Sequence, residues 1–70
     1  MKNCLTIAGS DCSGGAGIQA DIKTFSALGC YGMSVITSVF AENTHALLSS
    51  MSVSQEVIAD QLEAVFSDIR

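Results

Sequence analysis

The sequence predicts an α/β fold built on parallel strands, and three observations carry that reading. Residues 4–8 form a short apolar, β-prone run that ends at Gly9. Ile18, Ile22, Phe25 and Leu28 then recur at helical spacing. Residues 34–40, Ser-Val-Ile-Thr-Ser-Val-Phe, return to a run rich in β-branched residues. Strand, helix and strand in that order imply parallel strands joined by a right-handed crossover.

The first strand, residues 4–8, reads as buried. A glycine-rich stretch, residues 9–21, joins it to the helix and holds four of the chain's six glycines. Glycines at such a junction let backbone approach a ligand or another element closely. The helix over 18–28 stops at Gly29, a natural C-terminal residue. The second strand, 34–40, gives way to a polar loop, 41–49, carrying Glu42, Asn43, Thr44 and His45. Residues 50–53 read as a brief strand or extended segment. Residues 54–70 form the clearest helix: Ser54 caps it and Glu56 suits the positive end of its dipole. Ile58, Leu62, Val65, Phe66 and Ile69 fall on one stripe.

Composition narrows the function classes. The chain has 70 residues, 49% of them apolar, with no proline and a net charge of −4. Only Lys2, Lys23 and Arg70 are cationic, which argues against nucleic acid or an anionic membrane as partner. No apolar run reaches the roughly 18 residues of a membrane span. Cys4, Cys12 and Cys30 are odd in number and irregular in spacing, and there is one histidine. Neither a disulfide framework nor a structural zinc site is implied. With no signal-like leader, free thiols suggest a cytoplasmic setting. Two helices and two apolar strands cannot cover both faces of a parallel sheet. The chain therefore reads as the opening part of a larger α/β domain, marginal or aggregating by itself.

The glycine-rich stretch invites a phosphate reading, but the details resist it. A Walker A loop fails, because no Gly-Lys-Ser/Thr is present. Residues 15–20, Gly-Ala-Gly-Ile-Gln-Ala, match the dinucleotide pattern G-x-G-x-x-A, with Glu42 placed to grip a ribose. In that fold, however, the glycines follow the strand at once, and here residues 9–14 intervene. A small-molecule site is the better reading. Ligands of open α/β sheets sit outside the strands' carboxyl ends. The loop after the first strand and Phe40, Glu42 and Asn43 after the second share that edge. Phe40 offers a flat apolar surface, and Glu42 and Asn43 offer hydrogen bonds suited to an amino-substituted heterocycle.

Longer stretches are more specific. Leu5-Thr6-Ile7-Ala8-Gly9-Ser10-Asp11, then Ser13-Gly14-Gly15-Ala16-Gly17-Ile18-Gln19-Ala20-Asp21, then Lys23-Thr24-Phe25-Ser26-Ala27-Leu28-Gly29, and Tyr31-Gly32-Met33-Ser34-Val35-Ile36-Thr37 closely resemble the start of the hydroxymethylpyrimidine/phosphomethylpyrimidine kinases of thiamine biosynthesis. Gln61-Leu62 and Val65-Phe66-Ser67-Asp68 extend the resemblance into the last helix. It implies the N-terminal β-α-β-(β)-α portion of a ribokinase-like three-layer α/β/α sandwich with a mainly parallel sheet. Residues 1–70 would then be the N-terminal fragment of a single kinase domain, a homodimer when intact. The implied chemistry is phosphoryl transfer from ATP, with magnesium, to a primary hydroxyl on a pyrimidine and then to the monophosphate. The glycine-rich loop would face the acceptor. The ATP site, the magnesium ligands and the catalytic residue would lie beyond Arg70, leaving this chain inactive alone.

By position, the resemblance carries Ala16, Phe40 and Gly9 to the pocket wall, Glu42 to the side chain that reads the aminopyrimidine, and Asp21 to an acidic position nearby. Three departures stand out. The family pattern has Gln where Glu42 stands, a small aliphatic residue where Phe40 stands, and often proline where Cys12 stands. The competing readings are a pyridoxine-type kinase, a non-catalytic truncated paralogue or interaction segment, and a dinucleotide-binding segment. Several residues have plainer readings: Cys4 and Cys30 as small buried hydrophobes, Cys12 as a spacer, His45 as a surface residue, and Met33 and Met51 as core filler. Asp11 braces the loop or faces substrate, and Lys23 is solvated or pairs with Asp21 or Gln19.

Overall fold

The computed structural model describes residues 1–69. Its elements are β1 (Asn3–Asp11), α1 (Gly17–Ala27), β2 (Tyr31–Glu42), β3 (Leu47–Ser52) and α2 (Gln55–Phe66). The sheet runs β1-β2-β3. β1 and β2 are parallel, as strand–helix–strand order requires, and β3 turns back antiparallel to β2. The α/β class and the crossover are as the sequence implies, with a mixed sheet.

The strands are longer than their apolar runs. β1 continues through Gly9 and Ser10 to Asp11, because its ladder with β2 carries on past the glycine to pair Asp11 with Phe40. The expected loop over 41–49 shrinks to a tight turn. Asn43 Oδ1 accepts from the His45 N–H at 2.8 Å and the Ala46 N–H at 3.0 Å. The Asn43 N–H donates to the Ala46 carbonyl at 3.0 Å. An Asx side chain closing its own turn is a local device that composition alone does not reveal. His45 is exposed in that turn, as expected.

α1 ends as Gly29 predicts. Gly29 has φ 75°, its N–H reaches the Ser26 carbonyl, and the Cys30 N–H reaches the Phe25 carbonyl. This is the Schellman arrangement. In α2, Ser54 Oγ accepts from the Val57 N–H at 3.2 Å. Ile58, Leu62, Val65 and Ile69 are half-buried along the expected stripe, but Phe66 is 59% exposed. Gln61 takes the half-buried place beside them. Its amide accepts from the Ile36 N–H at 2.9 Å and donates to the Ile36 carbonyl at 2.8 Å, serving the β2 backbone as a neighbouring strand would. Arg70 lies outside the described residues.

Among the described residues the core is small: Val35 and Ile18, with Thr6 and Asp11 as buried polar groups. The accessible surface is 4750 Å². A compact monomer of 7.3 kDa would expose about 4,200 Å². The backbone forms a slab of 37 × 31 × 9 Å. Leu47, Leu48 and Met51 of β3 are open, so Met51 is not the core filler that its chemistry suggests. Met33, Cys4 and Cys30 are half-buried.

Candidate functional site

The site forms where β1 and β2 end. Asp11, at 4% exposure, is the centre of the glycine-rich loop. Its Oδ1 accepts from the Ser13 N–H at 2.9 Å and the Ser13 hydroxyl at 2.7 Å, and its Oδ2 from the Ala16 N–H at 2.8 Å. The Gly14 N–H reaches the Asp11 carbonyl at 3.0 Å. A glycine loop whose N–H groups point outward is a cradle for phosphate. Here the donors turn inward onto a carboxylate of the protein itself. The loop is braced, and its geometry does not fit an ATP phosphate.

Two glycines make the brace possible. Gly17 opens α1 with φ 61°, and a Cβ there would lie 2.3 Å from the Gly9 carbonyl oxygen. Helix and strand backbones therefore touch at this point. At Gly9 a Cβ would lie 2.4 Å from the Phe40 ring, so the ring covers the glycine. Gln19 ties the same junction: its Oε1 accepts from the Asp11 N–H at 2.8 Å, and its Nε2 donates to Ser10 Oγ at 2.7 Å.

Glu42 meets the loop across the strand ends. Its carboxyl is drawn above the usual range by burial first, then by the negative charge of Asp11. Asp11 is held below its usual range, chiefly by the Ser13 hydroxyl and N–H. The two carboxyls are thus shifted apart, Asp11 downward and Glu42 upward. Cys12 grips the main chain of the same residue: its thiol donates to the Glu42 carbonyl at 3.2 Å and accepts from the Glu42 N–H at 3.4 Å.

The structure therefore brings Gly9, Phe40, Glu42 and the Ala16 end of α1 to one edge. Asp21 is engaged elsewhere, accepting from the Thr6 hydroxyl between α1 and β1. Asn43 Oδ1 is committed to its turn. Lys23 donates to the Gly14 carbonyl at 3.0 Å rather than pairing with Asp21 or Gln19. Sequence reasoning missed Gln19, Gln61 and the bonding role of Cys12. Gln61 carries the one legible signal, an amide beside an apolar stripe. The dinucleotide objection also softens in its premise, since β1 ends at Asp11 and not at Ala8. Among the described residues, no group of three or more His, Cys, Asp or Glu is placed to hold a metal ion.

Known structures place this arrangement among the ribokinase-like small-molecule kinases. It superposes on the crystal structure of phosphomethylpyrimidine kinase from Clostridium difficile 630 with a TM-score of 0.95 and 58% identity, covering 99% of this chain and 30% of that one. A pyridoxal kinase from Staphylococcus aureus, solved with AMP-PCP and pyridoxal, gives 0.85 and 41%, covering 96% and 26%. The phosphomethylpyrimidine kinase family model matches residues 11–70, and the chain belongs to that family. The hydroxymethylpyrimidine/phosphomethylpyrimidine kinase of Escherichia coli K12 is 60% identical over 68 residues. The match covers 97% of this chain and 26% of that relative, so the chain spans about a quarter of its length.

Proposed function

We propose that the gene product carrying these residues phosphorylates hydroxymethylpyrimidine and its monophosphate for thiamine biosynthesis. These residues are the N-terminal part of its single kinase domain and form the acceptor side of its active site. The observation that carries this reading is the 60% identity with a kinase of that name across nearly the whole chain. The inward-turned loop supports it: with its donors spent on Asp11, the loop is suited to walling an uncharged ring. Phe40 and Gly9 supply the flat wall, and Glu42 reads the ring. The Glu42 carboxyl accepts hydrogen bonds, and when it carries a proton it offers one donor and one acceptor, the same pair as the glutamine of the family pattern. Asp21 acts through the helix–strand tether to Thr6. ATP and magnesium supply and activate the transferred phosphoryl group, and residues outside this chain hold them. The protein works as a cytoplasmic homodimer.

The test is turnover of the intact gene product with ATP, magnesium and either hydroxymethylpyrimidine or pyridoxal. Phosphorylation of the pyrimidine is the expected result. Turnover of pyridoxal alone would move the assignment to the second reading, a pyridoxal kinase, which the 41% identity with the Staphylococcus aureus enzyme favours. The 70-residue chain by itself is expected to turn over neither.

A further inference from the structure

Glu42 is met by two consecutive residues, Asp11 at the end of β1 and Cys12 in the loop that follows. The negative charge of Asp11 acts on its carboxyl, and Cys12 engages its main chain through a thiol that both donates and accepts. The register explains why. Asp11 pairs with Phe40, so the next rung of the β1–β2 ladder falls where β1 has already turned into the loop. Just past the last rung the Cys12 side chain stands in for the missing backbone, bonding the N–H and the carbonyl of Glu42. On the far side of the loop, Gln19 fixes the Asp11 N–H and Ser10 Oγ to α1. The loop is thus tied to the helix by one side chain and to β2 by another.

We propose that Cys12 is a positioning residue for substrate recognition, a latch that joins the glycine-rich loop to the end of β2 and so sets where the Glu42 side chain is presented. This rests on the reading of Glu42 as the residue that meets the ring. A proline at this position, the frequent family residue, has no side-chain donor or acceptor. The latch is worth most where Glu42 must keep one orientation to face a ligand.

The experiment compares wild type with Cys12→Ala, Cys12→Ser and Glu42→Ala in the intact gene product, by steady-state kinetics with hydroxymethylpyrimidine and by amide hydrogen exchange at Glu42. In Cys12→Ala the latch predicts a KM raised about five-fold, a kcat within about two-fold of wild type, and faster exchange of the Glu42 N–H. Serine keeps one donor and one acceptor, so Cys12→Ser restores KM and slows exchange again. An unchanged KM in Cys12→Ala beside a raised KM in Glu42→Ala overturns the latch while leaving Glu42 in the site. An unchanged KM in Glu42→Ala removes Glu42 from recognition, and the latch's part in recognition falls with it. A serine variant as impaired as the alanine one, in both readouts, also overturns the proposal, because packing of sulfur and not hydrogen bonding would then be responsible.

Discussion

The unit β1–loop–α1–β2 and the unit β3–α2 are built on different principles. The first contains Thr6, Asp11, Ile18 and Val35, the residues that are buried among those described. Its strands, loop and helix are cross-linked by Asp11, Gln19, Cys12 and the Thr6–Asp21 pair. In the second unit every residue of β3 is exposed, and α2 buries none. α2 reaches the sheet through β2, with Gln61 as its polar anchor. The contrast teaches that a site can be rigid where the fold around it is thin. Hydrogen bonds in the loop hold the functional edge, while apolar surface elsewhere waits for cover.

Substitutions can break that comparison, each measured by denaturant unfolding of the intact gene product. The largest effect is expected from Gly17→Ala. It combines a left-handed backbone with a Cβ driven into the Gly9 carbonyl, and a loss of about 3 kcal/mol or more follows. A loss near zero would mean that helix and strand are not in backbone contact. Gly9→Ala comes next, at about 2 kcal/mol, because the methyl group strikes the Phe40 ring. In a Phe40→Ala background the same change is expected to cost clearly less, and additivity in that double-mutant cycle would refute the contact.

Gln61→Ala sharpens the other side of the contrast. It strips both partners from the Ile36 backbone, for about 1.5 kcal/mol. Amide exchange should quicken in α2 and at Ile36 while the Asp11 loop stays protected. Equal loosening of the loop would show that the two units are one cooperative block. Ser54→Ala removes the α2 cap for about 1 kcal/mol, with fraying confined to that helix.

The smallest effect is on pH. Asp11, lowered in the fold, stabilises above its unfolded pKa, and that contribution fades as pH falls through the folded value. Glu42, raised in the fold, contributes fully below its unfolded pKa, and its share is lost as pH rises through the raised value. Stability should therefore decline on both sides of a mildly acidic window. Glu42→Gln should remove the decline on the higher-pH side alone, as read from Tm across pH. An unaltered profile would show that the fold does not raise the Glu42 carboxyl.

Much of the fold was legible because it rests on periodicity. Apolar runs located β1 and β2, helical spacing located α1 and α2, and Gly29 and Ser54 marked their termini. The site was legible only in part. Glycines, Phe40 and Glu42 stand at strand ends, where ligands of α/β sheets bind, so their grouping followed from order along the chain. The pairings of Asp11 with Ala16, Cys12 with Glu42 and Gln61 with Ile36 depend on register and three-dimensional approach, which a linear pattern does not encode. Met51 and Phe66 misled for a related reason. An apolar residue at a plausible core position is buried only if something is there to cover it.

The β1–β2 ladder changes step between Ala8 and Ser10. β1 advances from Ala8 to Ser10 while β2 advances from Ile36 to Val39, so β2 carries one residue more than its partner. Because side chains alternate along a strand, that single odd residue decides which member of β2 lies over Gly9 and which rung meets Cys12. What is constrained between Ile36 and Val39 is therefore a number. Replacement of Thr37 or Ser38 leaves the count alone, whereas one residue gained there would hand the edge to Val39 and Ala41 and turn Phe40 and Glu42 away, with every functional side chain still present in the chain.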